Sequence, residues 1–385
     1  MSIDTQILHL ANAPKDPFSS DTLPLYQTSG YKIDLDQGFN QEYFYSRFEN
    51  PTRTVLQTQL EKLDHALYAH ASTSGISAIN TVVSLLQAGD EIIFNHNVYG
   101  GTYHLLRSIS EPNGISIKQV DMRNIAQLKR AITPATKLIF MESPSNPSQH
   151  ICDIRAVVEV AKNHGILTAL DNSVISSYFQ QPLDLGVDFA IQSATKYLCG
   201  HGDVTAGVIS VATKENELKI KTLIYAQGNA LSPYDSWLLH RSIKTLGLRI
   251  KQQQSNALEV AKYLESNSSI PEVYYIGLTS HPQHDLHNSQ ASGYGALISF
   301  TTHSVEFSKA FIKNASDFFK VTGSFGSLSS SISLPSLMSH YSVFKCPDSA
   351  KSFSPDLIRL SVGIEDCDEI ISALDKAIMK TVNTF

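Results

Sequence analysis

The sequence has few cysteines for its length and no sign of a metal motif. Only four cysteines, Cys152, Cys199, Cys346 and Cys367, occur among 385 residues, and they form no CxxC pair and no metal-ligand spacing. This usage excludes a disulfide framework and predicts reduced thiols. The 14 histidines are scattered without an HExxH motif, so we expect no metal site.

Clusters of positive charge and long apolar runs are also absent. The chain carries 30 basic and 36 acidic residues, and its formal net charge is -6. No Lys/Arg-rich segment offers a surface for nucleic acid or an anionic membrane. No apolar stretch is long enough to span a bilayer, and the first residues lack the pattern of a signal peptide. We therefore expect a cytoplasmic protein that binds neither nucleic acid nor membrane.

What the sequence does have is an alternation of strand and helix patterns between about Ala66 and Val211. Such alternation predicts an α/β fold with a mostly parallel sheet covered on both faces. We divide the chain into an extended arm (1–50), an α/β domain (51–240) and a smaller α+β C-terminal domain (241–385). Ligands of open parallel sheets bind beyond the carboxyl ends of the strands, so residues that follow strands are the candidates for chemistry.

Three segments carry more specific predictions. Pro233–Glu265 is predicted as one long helix, broken or bent near Gly247. A helix that contains Ile76 and Ile79 is predicted to continue until Gly89. The Ser/Gly-rich segment Gly323–Ser333 is either a flexible loop or an active-site loop.

Two residues that follow predicted strands suggest a site for an aldehyde cofactor. Lys196 ends the sequence Ser-Ala-Thr-Lys, and an amine behind two hydroxyl groups suits a Schiff-base lysine beside a phosphate. Asp171 follows another strand, where a carboxylate would keep a pyridinium nitrogen protonated. The simpler interpretations are a surface lysine and a helix cap or turn aspartate.

Two weaker motifs lie in equivalent places. Thr73–Ile76 opens a helix whose free N–H groups would bind an anion, although an ordinary capped helix fits equally well. Tyr99 precedes two glycines, where its ring would stack on a cofactor or lie partly exposed at a turn. An amine, a carboxylate, an anion site and an aromatic ring at one sheet edge together favour pyridoxal phosphate (PLP).

Seven segments of the chain, spread over almost its whole length, resemble the Cys/Met-metabolism PLP enzymes, the trans-sulfuration family of cystathionine γ-synthases and lyases. They are Tyr45–Thr52, Val98–Tyr103, Glu142–Pro147, Asp171–Asn172, Gln192–Gly207, Ser232–Leu246 and Ile358–Asp366. The resemblance implies fold type I, like aspartate aminotransferase, with PLP as the cofactor. It also implies a homo-oligomer, commonly a dimer of dimers whose active sites are shared between subunits.

The resemblance assigns roles to matching positions. Lys196 would hold the cofactor covalently and later move protons, Asp171 would pair with the ring nitrogen, and Tyr99 would stack on the ring. The remaining cofactor-binding positions are Gly75, Ile76, Ser193 and Thr195 at the phosphate, Tyr45 and Arg47 at the phosphate of a neighbouring subunit, and Asn146. Asn146, Ser330 and Arg359 would hold the α-carboxylate region of the substrate, and a guanidinium suits a carboxylate bidentately.

Three positions depart from the pattern of many relatives. His104 stands where a basic residue is common, and Ser329 stands where a glutamate is common. Both differences weaken recognition of the long charged tail of cystathionine. Methionine γ-lyases typically have a cysteine where Gly101 stands, so the sequence does not support that subgroup.

The reaction predicted first is that of a C–S lyase of sulfur amino-acid metabolism. β- or γ-Elimination on cystathionine, cysteine or a related amino acid would give a keto acid, ammonia and a thiol. The alternative within the family is a γ-replacement synthase that uses an O-acylated homoserine. A nicotinamide-dependent oxidoreductase is disfavoured because no G-x-G-x-x-G motif follows the first strand. Intact Lys196, Asp171 and Arg359 argue against an inactive binding protein, although fold alone proves no activity.

Overall fold

A computed structural model describes residues 1–9, 16–38, 41–345 and 353–385. Of the four cysteines, Cys346 lies outside the described residues, whereas Cys152, Cys199 and Cys367 are free thiols. Among the described residues, no helix is long and apolar enough to cross a membrane. Within the same ranges, no group of three or more His, Cys, Asp or Glu side chains could hold a metal ion.

A seven-stranded sheet forms the larger part of the molecule, in the order β1-β7-β6-β5-β4-β2-β3. Its strands are β1 (Tyr68–Ser72), β2 (Glu91–Asn95), β3 (Ser116–Val120), β4 (Thr136–Glu142), β5 (Leu167–Asp171), β6 (Phe189–Gln192) and β7 (Gly207–Val211). β7 pairs antiparallel with both β1 and β6. The remaining neighbouring strands of this sheet pair parallel. The mostly parallel sheet predicted from the alternation is therefore confirmed.

Apolar side chains cover both faces of this sheet. Ile92 and Phe94 of β2 belong to one buried cluster, whereas the intervening Ile93 belongs to another. Successive strand residues point to opposite faces, so each cluster lies on its own side. The helices of this part are α2 (Pro51–Leu63), α3 (Gly75–Val83), α4 (Gly100–Leu105), α5 (Ile125–Ala131), α6 (Ile154–Asn163), α7 (Ser176–Phe179) and α8 (Lys214–Gln227). They follow α1 (Ile3–Gln6), the helix of the N-terminal segment.

The C-terminal part contains a second, smaller sheet of five strands, in the order β10-β11-β12-β9-β8. These strands are β8 (Val273–Tyr274), β9 (Leu297–Phe300), β10 (Lys320–Val321), β11 (Ser331–Ser333) and β12 (Ile358–Ser361). The accompanying helices are α9 (Pro233–Ile243), α10 (Leu246–Ser266), α11 (His284–Asn288), α12 (Val305–Ala315), α13 (Tyr341–Lys345) and α14 (Cys367–Val382). The largest apolar cluster joins the two parts, since it contains Tyr197 and Leu198 together with Ile298 and Leu360.

One helix prediction is confirmed and another was wrong in its extent. The helix predicted over Pro233–Glu265, with a break or bend near Gly247, is broken just before that residue and forms α9 and α10. The Arg249 guanidinium donates to the carbonyl oxygen of Ser242 at 2.9 Å, so a side chain satisfies a carbonyl at the end of α9. The helix containing Ile79 ends at Val83 rather than at Gly89, because the chain tightens there into a turn in which the amide of Leu86 bonds to the Val83 carbonyl.

Candidate active site

A cavity of about 200 Å³ lies at the carboxyl ends of the parallel strands. It brings together nine residues that the sequence singled out: Gly75, Ile76, Tyr99, Asn146, Asp171, Ser193, Thr195, Lys196 and Arg359. Most of them follow the ends of β1, β2, β4, β5 or β6, whereas Arg359 lies on β12 of the second sheet. The cavity is therefore built between the two parts of the chain.

Lys196 is the only lysine among the described residues that line this cavity. Its Nζ donates to Ser324 Oγ at 2.9 Å and lies 5.1 Å from the centroid of the Phe325 ring. Burial, together with the nearby Arg359 charge, lowers the pKa of Lys196 to about 8, although Asp171 opposes both effects. A larger fraction of this amine is consequently unprotonated near neutral pH than for an exposed lysine, as a nucleophile or base requires.

Asp171 is the last residue of β5, and only one of its two carboxylate oxygens is hydrogen-bonded within the described residues. Oδ1 accepts from the Ser173 amide at 3.0 Å and from the Ser173 hydroxyl at 2.5 Å, and the same hydroxyl accepts from the Ser193 amide at 2.6 Å. Oδ2 forms no hydrogen bond with the rest of the described chain. Burial raises the pKa of Asp171, whereas Ser173 and the Lys196 charge lower it. A cationic partner in the cavity would favour the ionised carboxyl.

The first turn of α3 provides an anion-binding end to the cavity. Ser74 caps this helix by accepting from the Ser77 amide at 3.1 Å, but the amides of Gly75 and Ile76 have no partner within the described ranges. A Cβ at Gly75 would lie 2.7 Å from Ser193 Cβ, so only glycine allows the helix to approach Ser193 this closely. Free amides at a helix start suit a phosphate.

Thr195 also lines this end, but its hydroxyl is already bonded to Ala206, the residue before β7. Thr195 Oγ1 donates to the Ala206 carbonyl at 3.2 Å and accepts from the Ala206 amide at 3.0 Å. This exchange fixes the backbone between Ser193 and Lys196 against the segment that enters β7. In the structure Thr195 therefore positions the lysine segment.

Arg359 supplies a buried positive charge opposite the lysine. It is only 2% exposed, and its guanidinium donates to Asn146 Oδ1 at 3.1 Å and to the Gly323 and Ser324 carbonyls at 2.8 and 3.2 Å. No carboxylate in the described ranges pairs with it. Burial lowers the pKa of Arg359 to about 10, which leaves it charged at neutral pH. A buried cation without an anion is costly and is suited to bind the carboxylate of a ligand.

Tyr99 forms an aromatic wall beside these charged groups. Its backbone amide donates to Glu142 Oε2 at 2.7 Å, and its ring stands edge-to-face with His340 at 6.0 Å between centroids. A side chain at Gly101 would collide with the Tyr99 ring, so the glycine leaves room for it. The position of the Tyr99 ring is thus restrained through its backbone amide by Glu142 and through its side chain by His340.

Tyr45 and Arg47 do not line the cavity of their own chain. Arg47 donates to the Tyr225 carbonyl, its guanidinium lies 4.4 Å from the Phe48 ring centroid, and Tyr45 is 41% exposed. Both residues thus lie outside the site that the nine other residues form.

Three further predicted positions also lie outside the cavity. Ser330 is fully buried, its hydroxyl donates to Glu365 at 2.9 Å, and it accepts from the Gly363 amide at 2.9 Å. Ser330 does not line the cavity, so its role at the substrate carboxylate stays a prediction. His104 is exposed and lies 3.3 Å from Ser108 Oγ, whereas Ser329 is half-buried.

Sequence reasoning assigned no site role to several residues that the structure places at the cavity, among them Glu142, Ser173, Ser324 and Phe325. Ser324 and Phe325 belong to the Ser/Gly-rich segment, for which an active-site loop was one of two predictions. Glu142 is part of a matched motif but received no role there. Ser173 follows Asp171 by two residues, the spacing at which a serine bonds to an aspartate in a turn.

The residues present fit PLP. Lys196 matches its aldehyde, the free oxygen of Asp171 matches a pyridinium nitrogen, and the unpaired amides of Gly75 and Ile76 match its phosphate. Arg359 remains for the carboxylate of an amino acid. The fold and this combination of groups define a PLP-dependent enzyme of fold type I.

Comparison with known proteins identifies the family. The model of the family described as Cys/Met metabolism PLP-dependent enzyme matches residues 4–379, and the chain belongs to this family. It is 42% identical over 376 residues to the chloroplastic cystathionine beta-lyase of Arabidopsis thaliana, covering 98% of this chain and 80% of that protein. The resemblance expected from the sequence is confirmed.

Solved structures agree with this assignment. Cystathionine gamma-lyase from Lactobacillus plantarum, complexed with L-serine, superposes with a TM-score of 0.94 at 36% identity, over 99% of this chain and 100% of that one. Cystathionine gamma synthase from Xanthomonas oryzae pv. oryzae, in complex with cystathionine, has a TM-score of 0.95 at 31% identity, with 100% of both chains covered. Lyases and synthases of this family thus share the fold seen here.

Proposed function

We propose that the protein is a PLP-dependent C–S lyase that releases a thiol from cystathionine, cysteine or a related amino acid. The observation that carries the proposal is the pairing, in one cavity, of the buried Lys196 amine with the buried and unpaired Arg359 guanidinium. An amine that can exchange protons and a cation that can hold an α-carboxylate are what such a reaction needs. The similarity to a cystathionine beta-lyase and a cystathionine gamma-lyase supports the same reaction.

Several residues would hold the cofactor. Lys196 would attach it, Asp171 would pair with its ring nitrogen and Tyr99 would stack on its ring. Its phosphate would contact Gly75, Ile76 and Ser193, next to the Thr195 backbone segment, and Asn146 would line the same cavity. When bound, PLP withdraws electrons from the carbon that bears the substrate amine and so weakens the Cα–H bond.

Two side chains of the cavity would bind the substrate and transfer its proton. Arg359 would bind the α-carboxylate and thereby orient the substrate, with Asn146 fixing the guanidinium. The Lys196 amine would accept the Cα proton and later return a proton. In the net reaction one C–S bond breaks and water is consumed, giving a thiol, ammonia and either pyruvate or 2-oxobutyrate.

A substrate panel tests this proposal. The purified enzyme with PLP should convert cystathionine or cysteine to a thiol, a keto acid and ammonia in equal amounts. A γ-replacement synthase is the second candidate, since the synthase from Xanthomonas oryzae pv. oryzae has the same fold. Such an enzyme would instead form cystathionine from an O-acylated homoserine and cysteine. Absence of both reactions would contradict the proposal.

We further propose a homo-oligomer, such as a dimer of dimers, in which Tyr45 and Arg47 reach the phosphate site of a neighbouring subunit. Their position outside the cavity of their own chain supports this arrangement. Apolar side chains of the N-terminal segment are also exposed, among them Phe18 at 87% and Leu35 at 92%, as expected of a surface that a partner covers. A cytoplasmic location stays a prediction from the sequence.

Complementation between variants tests the shared site. Arg47→Ala and Lys196→Ala should each be nearly inactive, yet mixing the two chains under subunit exchange should restore activity at about a quarter of the sites, because one mixed site keeps both residues. The matched control mixes Arg47→Ala with Tyr45→Ala, which leaves no site with an intact arm. Full activity of an isolated monomer in a sizing experiment would contradict a shared site.

Substrate preference provides a further prediction. Ser329→Glu should raise kcat/KM for cystathionine relative to cysteine by roughly tenfold, because it adds an anion for the distal ammonium. Ser327→Glu is the control, since it adds the same charge two residues earlier, where the Ser327 hydroxyl faces Gly202. A wild type that strongly prefers cystathionine, with no gain from Ser329→Glu, would show that another residue recognises the tail.

A further inference from the structure

Glu142 binds two separate walls of the cavity with one carboxylate. It is the last residue of β4 and is 3% exposed. Its Oε2 accepts from the Tyr99 amide at 2.7 Å, and its Oε1 accepts from the Asn146 amide at 2.8 Å. Burial and the nearby Asp171 carboxyl raise the pKa of Glu142, whereas the two amide bonds lower it. Whatever its charge, one buried carboxyl group is the acceptor for both amides, and a buried amide that loses its acceptor is costly.

The position of Glu142 is itself fixed through its backbone. The Glu142 amide donates to Asn95 Oδ1 at 2.9 Å, and Asn95 Nδ2 donates to the Glu142 carbonyl at 3.1 Å. Asn95 is the last residue of the neighbouring strand β2, so both strand ends are clamped together. The carboxylate thus extends into the site from a rigid base.

Each amide that Glu142 binds belongs to a residue facing the cavity. The Tyr99 amide lies directly before α4, so the first bond sets where the Tyr99 ring stands. The second bond links Glu142 to Arg359 through Asn146, because the Asn146 side chain accepts from the Arg359 guanidinium at 3.1 Å. A shift of the carboxylate would therefore move the aromatic wall and the carboxylate-binding arginine together.

We propose that Glu142 is a positioning residue that sets the Tyr99 ring and the Asn146–Arg359 pair at their working places in the cavity. The inference rests on the proposed cofactor and amino-acid site and adds a residue to it. Glu142 acts through its neighbours, so its effect should appear in cofactor geometry and substrate affinity as well as in turnover.

Glu142→Gln is the informative variant, because glutamine fills the same volume but offers one acceptor oxygen where the glutamate offers two. One of the two amides then loses its acceptor and faces an NH₂ group. We expect the visible circular dichroism of the bound cofactor to fall, the PLP dissociation constant to rise, and KM for the amino acid to rise by roughly tenfold. Glu142→Asp keeps the carboxyl group but withdraws it by one methylene, and it should show the same defects.

Glu91→Gln is the matched control. Glu91 is a buried glutamate at the opposite end of β2, where it accepts from Thr136 at 2.6 Å and pairs with Lys118 at 2.8 Å, away from the cavity. Its replacement should lower the melting temperature while leaving cofactor dichroism and KM unchanged. Equal changes in both readouts for Glu91→Gln would mean that general destabilisation explains the effect.

The remaining outcomes are also decisive. Cofactor dichroism, PLP affinity and KM within about twofold of wild type in Glu142→Gln would overturn the proposal, since twofold is well below the cost of a buried amide that has lost its acceptor. If Glu142→Gln does not fold, wild-type dichroism and KM in Glu142→Asp would overturn it as well. A wild type that lacks a cofactor band or lyase turnover contradicts the proposed function, whereas an unaffected Glu142 variant in an active wild-type background contradicts only the role of Glu142.

Discussion

Lys196→Ala is expected to abolish turnover while leaving a folded protein. The variant removes the only lysine among the described residues that line the cavity, so no other amine there can attach PLP or accept the Cα proton. We expect a loss of roughly 10³-fold or more in kcat, in the range found for removal of a positioned general base. The fold should survive because Nζ makes one hydrogen bond, to Ser324, and burial already disfavours its charge.

Borohydride treatment provides a second measurement for this variant. It should fix PLP covalently on the wild type, on the peptide that contains Lys196, and on no peptide of Lys196→Ala. Lys214→Ala is the control, since the Lys214 side chain is 61% exposed and pairs with Glu217 outside the cavity. Near wild-type turnover in Lys196→Ala would remove the mechanism proposed here.

Asp171→Asn should reduce kcat/KM by about 10²-fold or more, because it keeps the shape of the side chain and removes its charge. The asparagine oxygen can still accept from the Ser173 amide and hydroxyl, so the turn after β5 should persist. What is lost is the anion that would hold a pyridinium nitrogen protonated. A fall of less than about tenfold would mean that Asp171 serves the turn rather than the chemistry.

The stability of the cofactor-free variant provides an independent check. Burial raises the pKa of Asp171 in the folded state. An acid whose folded-state pKa lies above its unfolded value destabilises the fold at higher pH, so its ionisation at neutral pH is unfavourable. Asp171→Asn should therefore melt at the same temperature as wild type or higher when PLP is absent.

Asp188→Asn is the matched control for this pair of measurements. Asp188 accepts from the amide and hydroxyl of Thr168, both at 2.8 Å, which resembles the bonding of Asp171 but lies near the other end of β5. Its replacement should leave kcat/KM close to wild type. A comparable loss of activity there would show that the aspartates act through the sheet and not through the cofactor.

Only the tertiary structure decided how several segments end and what the polar side chains bind. The sequence placed a break near Gly247, but it could not show that Arg249 reaches back to the Ser242 carbonyl at the end of α9, because hydrophobic periodicity carries no signal for such a bond. Ser330 satisfied the family pattern, yet its hydroxyl is bound by Glu365 in the same C-terminal part. Side-chain partners of this kind depend on which loops the fold brings together.

The sequence by itself determined the position of the chemistry along the chain. Strand and helix periods predicted a mostly parallel sheet, and parallel strands bring their carboxyl ends to one edge. Gly75, Tyr99, Asp171 and Lys196 could therefore be placed together before any distance was known. The second sheet decided the rest, because Arg359 meets Asn146 across 213 residues of sequence and the loop with Ser324 meets Lys196 across 128. Local patterns act over a few residues, whereas these contacts depend on how the two sheets pack against each other through a shared apolar core.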